Sequence, residues 1–404
     1  MNIPETFFPW NRFPVELQIA VVLNSPDANT FAQLMRVSSA VRDVTEPVFY
    51  AILEPADDNA VISLCQSISS TPRDRFSHTR VLHLRNVAAV DDRVLRRLPT
   101  LLHSLPNLRA LTIEPSRHLL SLNMAGGLFT LEHLVEIGVP PLRAFATTLA
   151  LYPPALSRLF ATCPDLRHLD VGRSQIRTQS VRAADYRKHP VALPRALRSM
   201  VCAPAFLQQN ADALEDPAST SPELSRLRLV CETGTAVCLQ DVMRSLGAQL
   251  VSLRLGELGP TTPLVPREEE TWTVEDVTRE LPQLRFLQLD MIHLRLPYIH
   301  DSLVSWNSER PAGSTSSHAG ARLAIAWTYV LPSEKKIDRE EDMAWEHFLH
   351  AAAVDVVQAW PDQVARVFYR HSNTAPYTSI TLREDGLTVV SVRIGCFALD
   401  VRVF

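Results

Sequence analysis

Glycine is scarce in this chain, 12 among 404 residues, well below the usual share of about 7%. That scarcity argues against phosphate-cradling glycine loops and against all-β folds crowded with tight turns. Cysteine is sparse too. Cys65, Cys163, Cys202, Cys231, Cys238 and Cys396 are scattered with no Cys-x-x-Cys pair, so six reduced thiols packed as small apolar groups are expected. Neither charge dominates. Forty Lys and Arg stand against 44 Asp and Glu, a formal net charge of −4, which makes no general electrostatic case for nucleic acid. No apolar run approaches the roughly 20 residues that a bilayer requires, the longest being stretches such as Leu323 to Leu331. The opening Met1-Asn-Ile-Pro-Glu5 has neither a basic start nor an apolar segment, which reads as no secretory leader. The expectation is a chain of the cytoplasm or nucleus with no membrane or nucleic-acid partner.

Catalytic signatures are missing as well. There is no nucleophile elbow, P-loop, dinucleotide fingerprint or zinc-protease helix. His347 and His350 sit three apart beside Glu346, but no further ligands accompany them, and a packed or solvated pair is expected rather than a metal site. The runs Arg267-Glu-Glu-Glu270 and Lys335 to Glu341 read as solvated segments. No cofactor, metal or catalytic residue can be named, and the chain is expected not to be an enzyme.

What the chain does have is a leucine pattern. An apolar residue, two variable ones, an apolar, one variable and an apolar recur at Leu108-Arg-Ala-Leu111-Thr-Ile113, Leu166-Arg-His-Leu169-Asp-Val171 and Leu224-Ser-Arg-Leu227-Arg-Leu229. The same hexad stands at Leu250-Val-Ser-Leu253-Arg-Leu255 and Leu284-Arg-Phe-Leu287-Gln-Leu289. Weaker copies are Leu134-Val-Glu-Ile137-Gly-Val139, Leu197-Arg-Ser-Met200-Val-Cys202 and, with Thr79 in the first slot, Leu82-His-Leu84. Starts at 79, 108, 134, 166, 197, 224, 250 and 284 give steps of 26 to 34 residues. Pro106, Pro164, Pro222 and Pro282 each stand two residues ahead of a first leucine, where proline ends a helix and begins an extended segment. The final alternation predicts a short strand with one buried face.

Helical stretches are predicted between the strands. Thr273-Val-Glu-Asp276 reads as a capping box, Pro153-Pro154 as a helix start, and Gln240 to Leu246 as a helix ending at Gly247. One strand and one helix per unit resembles the leucine-rich repeat family in an irregular form, with Cys163-Pro-Asp-Leu166-Arg-His-Leu169-Asp-Val171 similar to its cysteine-containing subtype. The resemblance implies an α/β solenoid over 60–300. Beyond it, Trp306 to Ala321 reads as a loop within a flexible 301–321 segment. The part 322–404 reads as terminal solenoid units or an α+β cap, with a strand at Leu323 to Val330, a helix over Glu340 to Trp360, and a repeat-like Val364-Ala-Arg-Val367-Phe-Tyr369. It closes with alternation around Asp385-Gly386, a strong hairpin signal.

Residues 9–54 form a different kind of segment. Pro14 suits a helix's first turn with Glu16 near its positive end, and apolar positions follow at Leu17, Val21 and Leu23. Phe31, Leu34 and Val37 form a second stripe, and Val41, Val44 and Val48 a third. Phe13-Pro14-Val15-Glu16-Leu17, Leu34-Met-Arg-Val37-Ser38 and Pro47-Val-Phe-Tyr50 resemble, in order, the opening, middle and closing motifs of F-box domains. An F-box-like start ahead of degenerate leucine-rich units is similar to a group of proteins abundant in fungi. The resemblance implies docking onto the Skp-type linker subunit of a cullin–RING ubiquitin ligase, with Pro14, Leu17, Leu23, Leu34 and Val37 in or near the docking surface. Alternatively, these helices cap the open end of a stand-alone leucine-rich binding scaffold.

A target protein, of unknown identity, is expected on the concave face. Alternation turns outward Ala110, Thr112 and Glu114, His168 and Asp170, Arg226 and Arg228, Arg254, then Phe286, Gln288 and Asp290. Arg226, Arg228 and Arg254 fall on neighbouring copies, and with Phe286 they suit an acidic or phosphorylated segment, since the guanidinium fork matches such oxyanions. A hydrated charged surface without a ligand is the plainer alternative.

Overall fold

The computed structural model describes residues 10–24, 28–70, 75–87, 94, 96–115, 130–149, 151–172, 191–210, 223–230, 246, 249–258, 281–292, 323–330, 339–359, 361, 364–370, 377–383 and 386–392. The chain is of the α/β class and divides into two compact units, Met1–Leu149 and Ala150–Asp400. Among the described residues, no helix is long and apolar enough to cross a membrane.

The first unit opens with a short turn, Trp10–Arg12, and three helices, α1 (Val15–Leu23), α2 (Ala28–Val37) and α3 (Ser39–Phe49). Gln18 Nε2 donates to the carbonyls of Trp10 (3.1 Å) and Phe13 (2.8 Å), tying the turn to α1. Ser38 caps α3 by accepting from the Val41 N–H at 3.2 Å, satisfying one of the donors a helix start leaves over. Strand β1 (Ile52–Leu53) follows, then α4 (Asp58–Ser70), β2 (Val81–Val87), α5 (Leu98–His103), β3 (Ala110–Pro115), α6 (Leu131–Ile137) and β4 (Ala144–Thr147). These strands pair in parallel in chain order. Buried positions meet laterally, Leu82 beside Leu111 beside Phe145, and Leu84 beside Ile113 beside Thr147. Thr147 occupies a slot where the pattern expects an aliphatic side chain. Its hydroxyl donates to the Ile113 carbonyl (3.1 Å) and accepts from Leu149 N–H (3.0 Å), so the buried polar group is satisfied.

The hexad expected at Leu134 is not a strand. Leu134 to Ile137 lie in α6, whose first turn is fastened by Thr130 N–H donating to His133 Nδ1 at 3.2 Å and whose end is released by Gly138 at φ 87°. Pro140 and Pro141 then force the chain to extend, and the strand forms eight residues later, on Leu142-Arg-Ala-Phe145-Ala-Thr147. Apolar spacing alone did not separate the two because Leu131 and Leu134, three apart, fit a buried helix stripe equally well.

The second unit begins with α7 (Pro153–Thr162), started by its proline pair and buried along Leu156, Leu159 and Phe160. Its strands are β5 (His168–Asp170), β6 (Ser199–Cys202), β7 (Arg226–Val230), β8 (Ser252–Leu258), β9 (Phe286–Ile292), β10 (Leu323–Val330) and β11 (Val364–Arg370), parallel throughout. Helix α8 (Pro204–Gln209) follows β6, and α9 (Arg339–Ala359) links β10 to β11. Antiparallel β12 (Tyr377–Arg383) and β13 (Gly386–Val392) close the order, with Arg383 facing Gly386 across the hairpin predicted there. Along one line lie Leu169, Met200, Leu227, Leu253, Leu287, Ile325, Val367 and Ile380, all buried. Helix α9 buries Leu349, Ala352, Ala353, Val356 and Val357, the spacing of a single helical stripe.

Predicted features at Thr273-Val-Glu-Asp276, Gln240 to Gly247 (apart from Leu246) and Trp306 to Ala321 lie outside the described residues. Leu227→Ala, at the centre of the inner line, is expected to lower unfolding free energy by about 2–5 kcal/mol through lost burial and a residual cavity. The exposed Arg109→Ala should change it by under about 0.5 kcal/mol; chemical denaturation of both variants measures the contrast.

Candidate functional site

The N-terminal module presents an unusual surface. Helix α1 is apolar almost all round, yet among its described side chains only Val22 is buried. Val15, Leu17, Val21 and Leu23 are exposed, as is Val37 at the end of α2, from 51% at Leu17 to 69% at Val37. Pro14 precedes α1 at its N-terminal boundary and is exposed, while Leu34 is half-buried. Of the five residues singled out for docking, four are therefore open to a partner. Leu17 and Val21, four residues apart, share one side of α1, and Val15 and Leu23 lie on another.

The module's other side is committed inward. Phe31 and Phe49 lie 5.8 Å apart by ring centroids, Phe49 meets Tyr50 edge-on at 5.1 Å, and Tyr50 meets Phe76 at 5.3 Å. Thr79 Oγ1 donates to the Tyr50 carbonyl at 2.9 Å, and the Arg80 and Val81 N–H groups both donate to the Ala51 carbonyl. Glu46 pairs with Arg75. The Pro47-Val-Phe-Tyr50 segment thus fastens α3 to the first strands, while the opening segment around Leu17 is left uncovered.

On the outward strand face of the first unit the arrangement differs from expectation. Ala110 and Thr112 are buried rather than exposed. Ala110 sits between Val81 and Ala144 in a closed apolar cluster, and Thr112 Oγ1 lies 2.9 Å from His83 Nδ1. Each is a short side chain flanked by neighbours about 4.8 Å away, and the flanks cover it. Glu114 joins a lateral charge row in which Arg85 sits 2.8 Å from Glu54 and 3.8 Å from Glu114. Burial lowers the His83 pKa, Arg85 lowers it further, and Glu54 and Glu114 oppose both.

On the second unit, register places Arg226, Arg228, Arg254 and Phe286 on three neighbouring strands. Arg228 is the lateral neighbour of Arg254, and Arg254 of Gln288; Arg226 neighbours Ser252, which neighbours Phe286. Arg226 is exposed, Arg228, Arg254 and Phe286 are half-buried, and Gln288 is buried between Arg254 and Ala326. The Asp290 side chain lies outside the described residues.

Two further arginines lie beside this face, at positions that the hexad alternation does not count as outward. Arg167 and Arg198 occupy the position just after the first leucine of their copies, and both act on His168. Burial drives the His168 pKa down to about 4, and the positive charges of Arg226, Arg167 and Arg198 push the same way. The repeated Leu-Arg pair, at 108–109, 142–143, 166–167, 197–198 and 284–285, was the available signal. Elsewhere, His350 Nδ1 lies 2.9 Å from the Tyr369 hydroxyl and packs against its ring, while His347 is exposed. No group of three or more His, Cys, Asp or Glu side chains able to hold a metal occurs among the described residues.

No known family model matches the chain, and a search of curated proteins finds no significantly similar relative.

The imidazole at 168 carries a pH consequence. Its folded pKa of about 4 lies below the ordinary 6.5, so the unfolded chain takes up a proton that the folded site refuses. Stability is full above pH 6.5 and falls as pH drops from 6.5 toward 4. His168→Gln is expected to flatten that part of the profile relative to wild type; thermal melting across pH 4–7 for both proteins checks it, and parallel profiles would refute it.

Proposed function

We propose that the chain is a leucine-rich solenoid that serves as the substrate-recognition adaptor of a cullin–RING ubiquitin ligase. The N-terminal helices hold the Skp-type linker and the strand face of the second unit holds a target protein, so catalysis belongs to other subunits. The observation that carries the reading is that the apolar side chains of Leu17, Val21, Leu23 and Val37 are exposed, within the segment that resembles an F-box opening and middle. Such a surface costs free energy in water unless a partner covers it. The Arg228–Arg254 lateral pair, with Arg226 and Phe286 beside it, supports capture of an acidic or phosphorylated segment.

A second reading, a stand-alone binding scaffold whose first helices cap the open end, draws on the aromatic chain from Phe31 to Phe76 and the Tyr50 and Ala51 carbonyl bonds. Copurification with a Skp-type linker separates the two. Wild-type capture that is lost on Leu17→Asp, with unchanged melting, supports the adaptor; no capture by the wild-type chain leaves the scaffold. Once a target is in hand, Arg228→Glu is expected to abolish its pull-down, and unaltered binding would remove the strand face as the gripping surface.

A further inference from the structure

We propose that Arg167, Arg198 and Arg226 form a phosphoryl-binding site for a phosphorylated protein segment at the entry of β5, β6 and β7. Arg167 and Arg198 are lateral neighbours, and Arg226 lies one residue further along the adjoining strand, opposite Ser199. Arg198 N–H donates to the Arg167 carbonyl at 2.9 Å, and Arg226 N–H donates to the Arg198 carbonyl at 3.0 Å. Arg198 and Arg226 are exposed and Arg167 is half-exposed. Among the described residues none of the three has an ion-pair partner. The floor between them is small and polar, since Ser199 lies directly between His168 and Arg226 in register. The nearby Asp170 carboxylate accepts from the Gly172 N–H at 3.1 Å.

Three guanidinium groups on adjoining strands, with no ion-pair partner among the described residues, match a dianion better than a carboxylate, which would balance only one of them. The positive charges of all three also disfavour protonation of the His168 imidazole. A nucleic-acid backbone needs a row of cations that continues along its path. The entry row itself ends at Arg198, with Ser225 and Val251 following in that row, while Arg226, Arg228 and Arg254 lie further along β7 and β8. A short entry row suits one compact phosphoryl group. The choice of a protein segment rests on the strand-face reading above, whereas capture of the anion does not.

The test uses the full chain, with His168 ring resonances assigned by His168→Gln. The probes are the blocked pentapeptide Gly-Gly-phosphoserine-Gly-Gly, its unphosphorylated twin, inorganic phosphate and a short single-stranded RNA. The phosphopeptide is expected to raise the His168 titration midpoint, and the twin to leave it in place. Arg198→Ala, at an exposed position, is expected to weaken phosphopeptide binding about tenfold, the scale of one charge-assisted hydrogen-bonding group, with melting unchanged. Lys in its place should restore part of the affinity. A midpoint indifferent to the phosphopeptide overturns the proposal. So does equal binding of inorganic phosphate, or arginine-dependent RNA binding without phosphopeptide binding. Linker capture in the same preparations separates this idea from the adaptor: peptide silence with capture overturns this site alone, and peptide binding without capture supports it while removing the adaptor.

Discussion

In a parallel ladder each residue's lateral neighbour is set by backbone hydrogen bonds, and in the unit Ala150–Asp400 that constraint organises everything else. Leu169, Met200, Leu227, Leu253, Leu287 and Ile325 form one buried line because each pairs with the next. A slip of one residue anywhere would send Leu227 outward and bury Arg228 or Arg226 without water. The register that hides the aliphatic line therefore also assembles the arginines on the other face. Gly172 shows how tight the packing is: a Cβ there would lie 2.7 Å from Val230 Cγ2 and 2.8 Å from Val201 Cγ1. Any side chain at that point must push two strands' valines aside.

The N-terminal helices divide their apolar residues between two uses. Phe31, Phe49 and Tyr50 build an aromatic chain into the body through Phe76, and Thr45, fully buried, has its hydroxyl satisfied by the Val41 carbonyl at 2.7 Å. Leu17, Leu23 and Val37 do nothing of the sort. A nine-residue helix has little stability of its own, and α1 is held by tertiary contacts and by Gln18 bridging back to Trp10 and Phe13. Holding an apolar helix in place while leaving most of it uncovered is consistent with a surface that awaits a partner.

Net charge was a poor guide to local field. A chain with a formal balance of −4 nonetheless gathers Arg167, Arg198 and Arg226 around one imidazole, and a second arginine pair, Arg228 and Arg254, on the adjoining strands. Screening over about 8–10 Å at ordinary salt keeps distant carboxylates from cancelling such a group. The first unit solves the same problem differently, with Arg85 held between Glu54 and Glu114.

Where most strands begin was legible locally, because period-two alternation, in four copies just after a proline, has few other meanings: the hexads at Leu108, Leu166, Leu197, Leu224, Leu250 and Leu284 all end in strands, and Arg383 pairs with Gly386 where a hairpin is expected. The helices of 9–54 were legible in the sequence for the same kind of reason, since their stripes and caps are local. Tertiary structure decided the rest. Only the observed cap at Thr130 and the break at Gly138 made Leu134 helical and moved the strand to Phe145. Only lateral pairing buried Ala110, Thr112 and Gln288 on a face whose alternation reads as exposed, and only pairing brought Arg167 and Arg198 beside Arg226. Periodicity reports which way a side chain leaves its own strand; what stands 4.8 Å or so to either side, and so what covers it or charges it, belongs to strands some 25 to 35 residues away.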